Sequence, residues 1–166
     1  MRRWTVLIAV MALVVAIPAA ASAAAPEVVE DFTASWEGLD PGATAACGFE
    51  VHSDGSETVK VTVFSNNDGE PTKVLVHVNG FNTISSPGGG TVTDNYAFRV
   101  IDDLVAGTSR TLGNVFNMHA KGGGILVNDS GFIEFSDSGV VIHGPHDAFV
   151  SDIGEVLCPV LAPPAP

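Results

Sequence analysis

Basic residues are scarce in this chain. Seven lysines and arginines stand against nineteen aspartates and glutamates, giving a net charge of −12. Two of the seven, Arg2 and Arg3, precede an apolar run at the very start, so the remainder carries −14. A surface of that sign repels nucleic acid and anionic lipid, and no nucleic-acid partner is expected. Cysteine is limited to Cys47 and Cys158. There is no C-x-x-C pair and no basic neighbour to activate a thiol, so the expected use is one structural disulfide. Two motifs are also missing. No G-x-S-x-G elbow presents a nucleophilic serine. Neither glycine run, at 88–90 or 122–124, has the lysine and strand-to-helix setting of a phosphate-binding loop, and both read as hairpin tips or bulges.

What the chain does have begins with an address. Arg2 and Arg3 form a positive start, residues 4–17 an apolar run, and Ala21-Ser22-Ala23 a small-x-small cleavage pattern. The stretch to Ala25 is just long enough to cross a bilayer, at about 20 residues. Its second half is mostly alanine, however, which suits cleavage better than anchoring. The expectation is a signal peptide over 1–23, cleavage after Ala23, and a secreted protein with no membrane span. No cysteine follows the cleavage pattern to carry a lipid.

Roughly 140 residues then remain, enough for one domain with its own core. Residues 24–46 read as an irregular N-terminal segment, broken by Gly38, Pro41 and Gly42. From Cys47 to Cys158 the pattern is that of a single β-rich domain. Val59, Val61 and Val63 alternate with Lys60, Thr62 and Phe64, and Val74, Val76 and Val78 alternate with Leu75 and His77. Asp54-Gly55 and the loop at 66–71 read as turns. Tyr96, Phe98 and Val100 share one strand face, and Leu112, Phe116 and Met118 another. Shorter strands are expected at 124–127, 131–135 and 139–143, with 128–130 as a turn between the first two. Phe149, Ile153, Val156, Leu157 and Val160 recur at helical spacing, opened by Pro145, closed by Pro159 and weakened by Gly154. Residues 159–166 read as a loose Pro/Ala tail. The fold class expected is all-β: an antiparallel meander closed into a barrel, capped by a short C-terminal helix. Closure removes sheet edges. The alternative is a β-sandwich.

Histidines supply the candidate chemistry. His143 and His146, with Asp147, sit close enough in sequence to share a metal, but zinc needs three or four ligands and no others are evident. A strand end running into a polar turn explains them with fewer assumptions, and no cofactor is expected. His77 and His119 fall in separate strands, where they form a polar handle if both face one interior, and solvated surface residues otherwise. Several late strands are apolar on both faces: Ile133 and Phe135 oppose Phe132, and Val140 and Ile142 oppose Val141. Each such face needs a cover from the chain ends, a second subunit or a ligand.

An alanine-rich signal, one early cysteine, a β-meander, the Gly144-Pro145-His146 turn and a cysteine before an Ala/Pro tail together resemble the small secreted proteins common in high-GC Gram-positive bacteria. That resemblance spans most of the chain, implies a location and a fold style, and brings no functional residues. The expected function is a secreted, non-enzymatic binding module for a small apolar ligand or a protein. A cavity-based or metal-dependent enzyme using His143/His146 or His77/His119, and a structural or surface-interaction role, remain open beside it.

Overall fold

Short polar turns reverse the chain five times after its second strand, and each strand pairs antiparallel with the next. The computed structural model describes residues 25–150 and 152–164; the expected signal peptide and its cleavage point lie outside them. The strands are β1 (Glu27–Leu39), β2 (His52–Ser65), β3 (Pro71–Ser85), β4 (Thr91–Asp103), β5 (Thr108–Ala120), β6 (Gly124–Ser136) and β7 (Gly139–His143). They lie in one sheet in sequence order. Among the described residues three helices accompany them: α1 (Pro41–Cys47), α2 (Asp147–Val150) and α3 (Ile153–Leu161). No helix among the described residues is long and apolar enough to cross a membrane.

Turn chemistry explains the hairpins. Asn66 accepts the Asp68 and Glu70 amides on Oδ1 at 3.0 and 2.9 Å, while Gly69 takes the positive φ of 84° that closes the β2–β3 turn. The expected alternation of Val59, Val61 and Val63 against Lys60, Thr62 and Phe64 holds, and Val59–Val78, Val61–Val76 and Val63–Val74 are cross-strand partners.

The expected barrel does not close. β1 and β7 stand at opposite edges of an open sheet. β7 has only five residues to offer against thirteen in β1. Beyond it the chain turns back onto the edge of β6, where the Ser130 amide donates to Pro145 O at 2.8 Å and Asp129 bridges His146. The segment expected to be irregular at 24–46 is, from residue 25 on, not irregular either. β1 is a full edge strand, and Asp40 caps α1 by accepting the Ala43 amide at 2.9 Å, with Pro41 opening the helix.

Three local readings also change. Asp54-Gly55 lies inside β2 rather than in a turn, paired with Glu37 and Trp36 on one side and with Thr83 and Asn82 on the other. Residues 128–130 continue β6 without a break. Leu112 does not share a face with Phe116 and Met118, because a bulge at Val115 shifts the register between Asn114 and Phe116 and exchanges the faces. The C-terminal helix is divided into α2 and α3, the break falling before Asp152, which caps α3, and not at Gly154, which lies inside it. Pro159 lies inside α3 rather than ending it, and the helix runs on to Leu161 within the segment expected as tail.

The core sits at one end of the sheet. Val51, Ile84, Val92, Met118, Val127, Leu157 and Leu161 form its buried cluster, with Leu161 fully enclosed. α1 and α3 cover this end, and Cys47 at the close of α1 is bonded to Cys158 in α3, with 5.2 Å between their Cα atoms. The bond therefore joins two helices. It spans 111 residues of chain. Strands of 13 to 15 residues run about 45 Å, so helices as short as these cover only part of the sheet.

Candidate functional site

Pleat and register sort every strand residue onto one of two faces. Outward from the capped end, one face presents valine after valine. One row runs Phe32, Val59, Val78 and Phe98 across β1 to β4. The next runs Val61, Val76 and Val100, then Thr111, Ile133 and Ile142. A third holds Val63 and Val74 at one side and Phe135 and Val140 at the other. Phe32, Phe135, Val140 and Ile142 are exposed large apolar residues. No described helix packs over this half of the sheet.

Charge separates cleanly between the faces. The apolar face carries Glu27, Glu30, Glu57, Asp94, Asp102 and Asp129, by register with its valines and their neighbours, and no lysine or arginine. Of the five basic residues described, Lys60, Lys73, Arg99 and Arg110 all stand on the opposite, polar face, and Lys121 lies in the β5–β6 turn. On the apolar face Glu27, Glu30 and Asp102 border the valine rows, while Asp94 and Asp129 are buried.

A polar girdle divides the capped core from the open valine rows. The Trp36 ring lies over Gly55, where an added Cβ would fall 2.7 Å from the indole. Its Nε1 donates to Ser53 Oγ at 2.9 Å and to Asn82 Oδ1 at 3.2 Å. Tyr96 mirrors it from β4. Its ring covers Gly80 and its hydroxyl donates to Glu57 at 3.2 Å. Two strand glycines thus seat two aromatic rings flat on the sheet, each held by its polar tip. Asp94, in register with Asn82, accepts the Asn117 amide at 2.7 Å, satisfying a donor that the β5 bulge displaces. Burial raises the Asp94 carboxyl above its usual value, opposed by that hydrogen bond and by His119. The girdle's polar atoms bond one another, so it stiffens the floor beside the valine rows.

The same enclosure reaches the tyrosine. Burial, then the charge and hydrogen bond of Glu57, then Asp94, push Tyr96 up to about 12. Tyr96 is the sole tyrosine of the chain, so phenolate absorbance reports on it alone. An alkaline titration of the folded protein is expected to show a midpoint near 12, moving back toward the ordinary ~10 in Glu57→Gln. A wild-type midpoint at the ordinary value contradicts the Tyr96–Glu57 contact. Because folding raises this pKa, the associated stability is full below pH ~10 and is lost as pH rises through about 12.

The histidines singled out from the sequence are not brought together. His146 is buried, its Nδ1 2.6 Å from Asp129 Oδ1 and its Nε2 3.2 Å from the His143 carbonyl. His143 pairs with Phe132 on the polar face, ring centroids 5.9 Å apart, whereas Asp129 belongs to the other face. The two imidazoles therefore do not converge, and His146 acts as a clasp holding the chain after β7 to β6. Asp147, the third residue of that group, accepts the Asn128 amide instead. Among the described residues no three histidine, cysteine or acidic side chains cluster to hold a metal. His77 and His119 share the polar face, but His77 is opposite Arg99 and His119 opposite Thr93, about 20 Å apart along β4. They form no common handle.

The sequence reading did not single out Trp36, Glu57, Asn82 or Asp94, and it placed Tyr96 on a strand face without its partner Glu57. Gly55 and Gly80 were the available signal, since glycine inside a strand marks a close approach by another group. No protein-family model, curated protein or solved structure matches the chain.

Proposed function

We propose that the protein is a secreted binding module that docks a cationic, amphipathic segment of another protein on the open apolar face of its sheet. The observation that carries this reading is the charge division: half-buried valine rows flanked by the exposed Phe32, Val140 and Ile142 and bordered by Glu27, Glu30 and Asp102, with no cation on that face and no described helix over it. Uncovered apolar rows of this extent favour a partner. The bordering carboxylates favour one whose apolar stripe is flanked by lysine or arginine, through faster encounter and selection against acidic partners. The Cys47–Cys158 bond supports residence in an oxidising compartment.

The test is calorimetric titration with two amphipathic peptides of identical apolar residues, one flanked by lysine and the other by glutamate. The lysine peptide is expected to bind and the glutamate peptide to fail. Charge reversal at the border, Glu30→Lys with Asp102→Lys, is expected to weaken binding by about tenfold or more while leaving the valines untouched. Equal binding of both peptides, or none of either, overturns the proposal. Saturable uptake of a neutral apolar dye without peptide binding points instead to a small apolar ligand.

A further inference from the structure

The polar face carries an arrangement that the peptide proposal does not use. Lys60, His77 and Arg99 stand side by side on β2, β3 and β4, each in direct register with the next and all exposed. Adjacent strands lie about 4.8 Å apart, which brings the two cations within ~10 Å of each other at the backbone, with the imidazole between. Like charges directly opposite each other destabilise a sheet, and His77 stands between these two. The chain has few cations to place, and it places two here, where neither pairs with a carboxylate. The ion pairs among the described residues are His52–Glu50, Arg110–Glu134 and His146–Asp129. Asp31, in register beyond Lys60 on β1, forms no ion pair with it.

Beside the row lies a shallow depression. Ala97 and Gly113 keep its floor low, and His77, Asn79, Arg99 and Leu112 line it. Arg99 offers a planar fork of donors, Lys60 a mobile ammonium, His77 a ring N–H and Asn79 an amide. A planar carboxylate is satisfied by an arginine alone. Three nitrogen-bearing side chains in register on three strands, with Lys60 flanking the depression that His77 and Arg99 line, suit a group with several oxygens and more than one charge. We propose that this row, a local cationic patch on an otherwise acidic molecule that as a whole repels anionic surfaces, is a weak binding site for a phosphoryl group, presented either by a soluble phosphate or by a lipid headgroup.

The experiment follows the His77 ring and Arg99 Nε resonances by NMR while inorganic phosphate is added, in the wild type and in Lys60→Gln/Arg99→Gln. Both residues are exposed, so the double variant retains the fold, checked by an unchanged amide spectrum away from the site. The expected result is saturable shifts confined to the depression, in the millimolar range, with affinity reduced about tenfold or more in the double variant. Vesicles containing phosphatidylglycerol form the second arm. Co-sedimentation that is lost in the double variant assigns the group to a headgroup, and phosphate binding without co-sedimentation assigns it to a soluble ligand. Absence of saturable shifts together with absence of co-sedimentation overturns the proposal, as does any binding that persists unchanged in the double variant. Because the row lies on the face opposite the valines, failure here leaves the peptide proposal intact, and the reverse holds.

Discussion

Reducing the Cys47–Cys158 bond is expected to lower the melting temperature by on the order of 10 °C. The bond closes 111 residues, and loop-closure entropy alone places its contribution near ~4.7 kcal/mol, an upper figure because an unfolded chain keeps some structure. The location of the bond makes the loss local as well as global. α1 and α3 are short helices, stable only where they pack, and the bond is the covalent link between them. Once it is open, α3 is held by Leu157 and Leu161 in the core and by the Ser86 hydroxyl donating to Leu161 O. Hydrogen exchange should therefore accelerate first in α1 and α3, while central strands β3 and β4 stay protected. A melting curve that does not move on reduction contradicts this account of the capped end.

Gly89→Ala is expected to cost about 3 kcal/mol, read as a fall in melting temperature of comparable size to that of reduction. The β3–β4 turn is pressed against the last turn of α3. A Cβ on Gly89 would stand 2.0 Å from Leu161 O and 2.2 Å from Ser86 Oγ. One on Gly90 would meet Val160 O at 2.0 Å. Two of these contacts are backbone atoms of a packed helix, so relief requires moving α3 and opening the space around the fully buried Leu161. Gly88 provides the contrast. It has open space around it but a φ of +73°, so alanine there costs only the left-handed conformation, about 1 kcal/mol. Equal losses at Gly88 and Gly89 would mean that turn geometry, not helix contact, governs this glycine run.

Much of the sheet was legible because alternation is a direct record of burial. Val59–Val63 and Val74–Val78 stand on the face that the pattern assigned, as do Tyr96, Phe98 and Val100. The errors arise where one residue breaks the period. Val115 adds a residue to β5 and moves Leu112 to the other face from Phe116 and Met118. Gly55 and the 128–130 segment look like turns because glycine, asparagine and aspartate favour them, yet both are held in strands by partners distant in sequence. The girdle was hidden for the same reason. Trp36 meets Asn82 and Tyr96 meets Glu57 across strands, and no local spacing announces either pair. Closure of the barrel was illegible because it depends on whether β7 is long enough to reach β1, and His146 diverts the chain first.

The strict consecutive order of the strands also bears on how the protein forms. Every ladder joins neighbours in the chain, so each pairing from β2 onward needs only a short turn to bring it about. Ladder partners are never farther apart in sequence than the two arms of one hairpin or of β1 and β2, and the longest separation is at the helices, where Cys47 meets Cys158. A chain threading out of a narrow channel can zip one hairpin after another without waiting for its last residues. The cap then arrives last, and covalent joining of Cys47 to Cys158 marks a molecule whose assembly is finished.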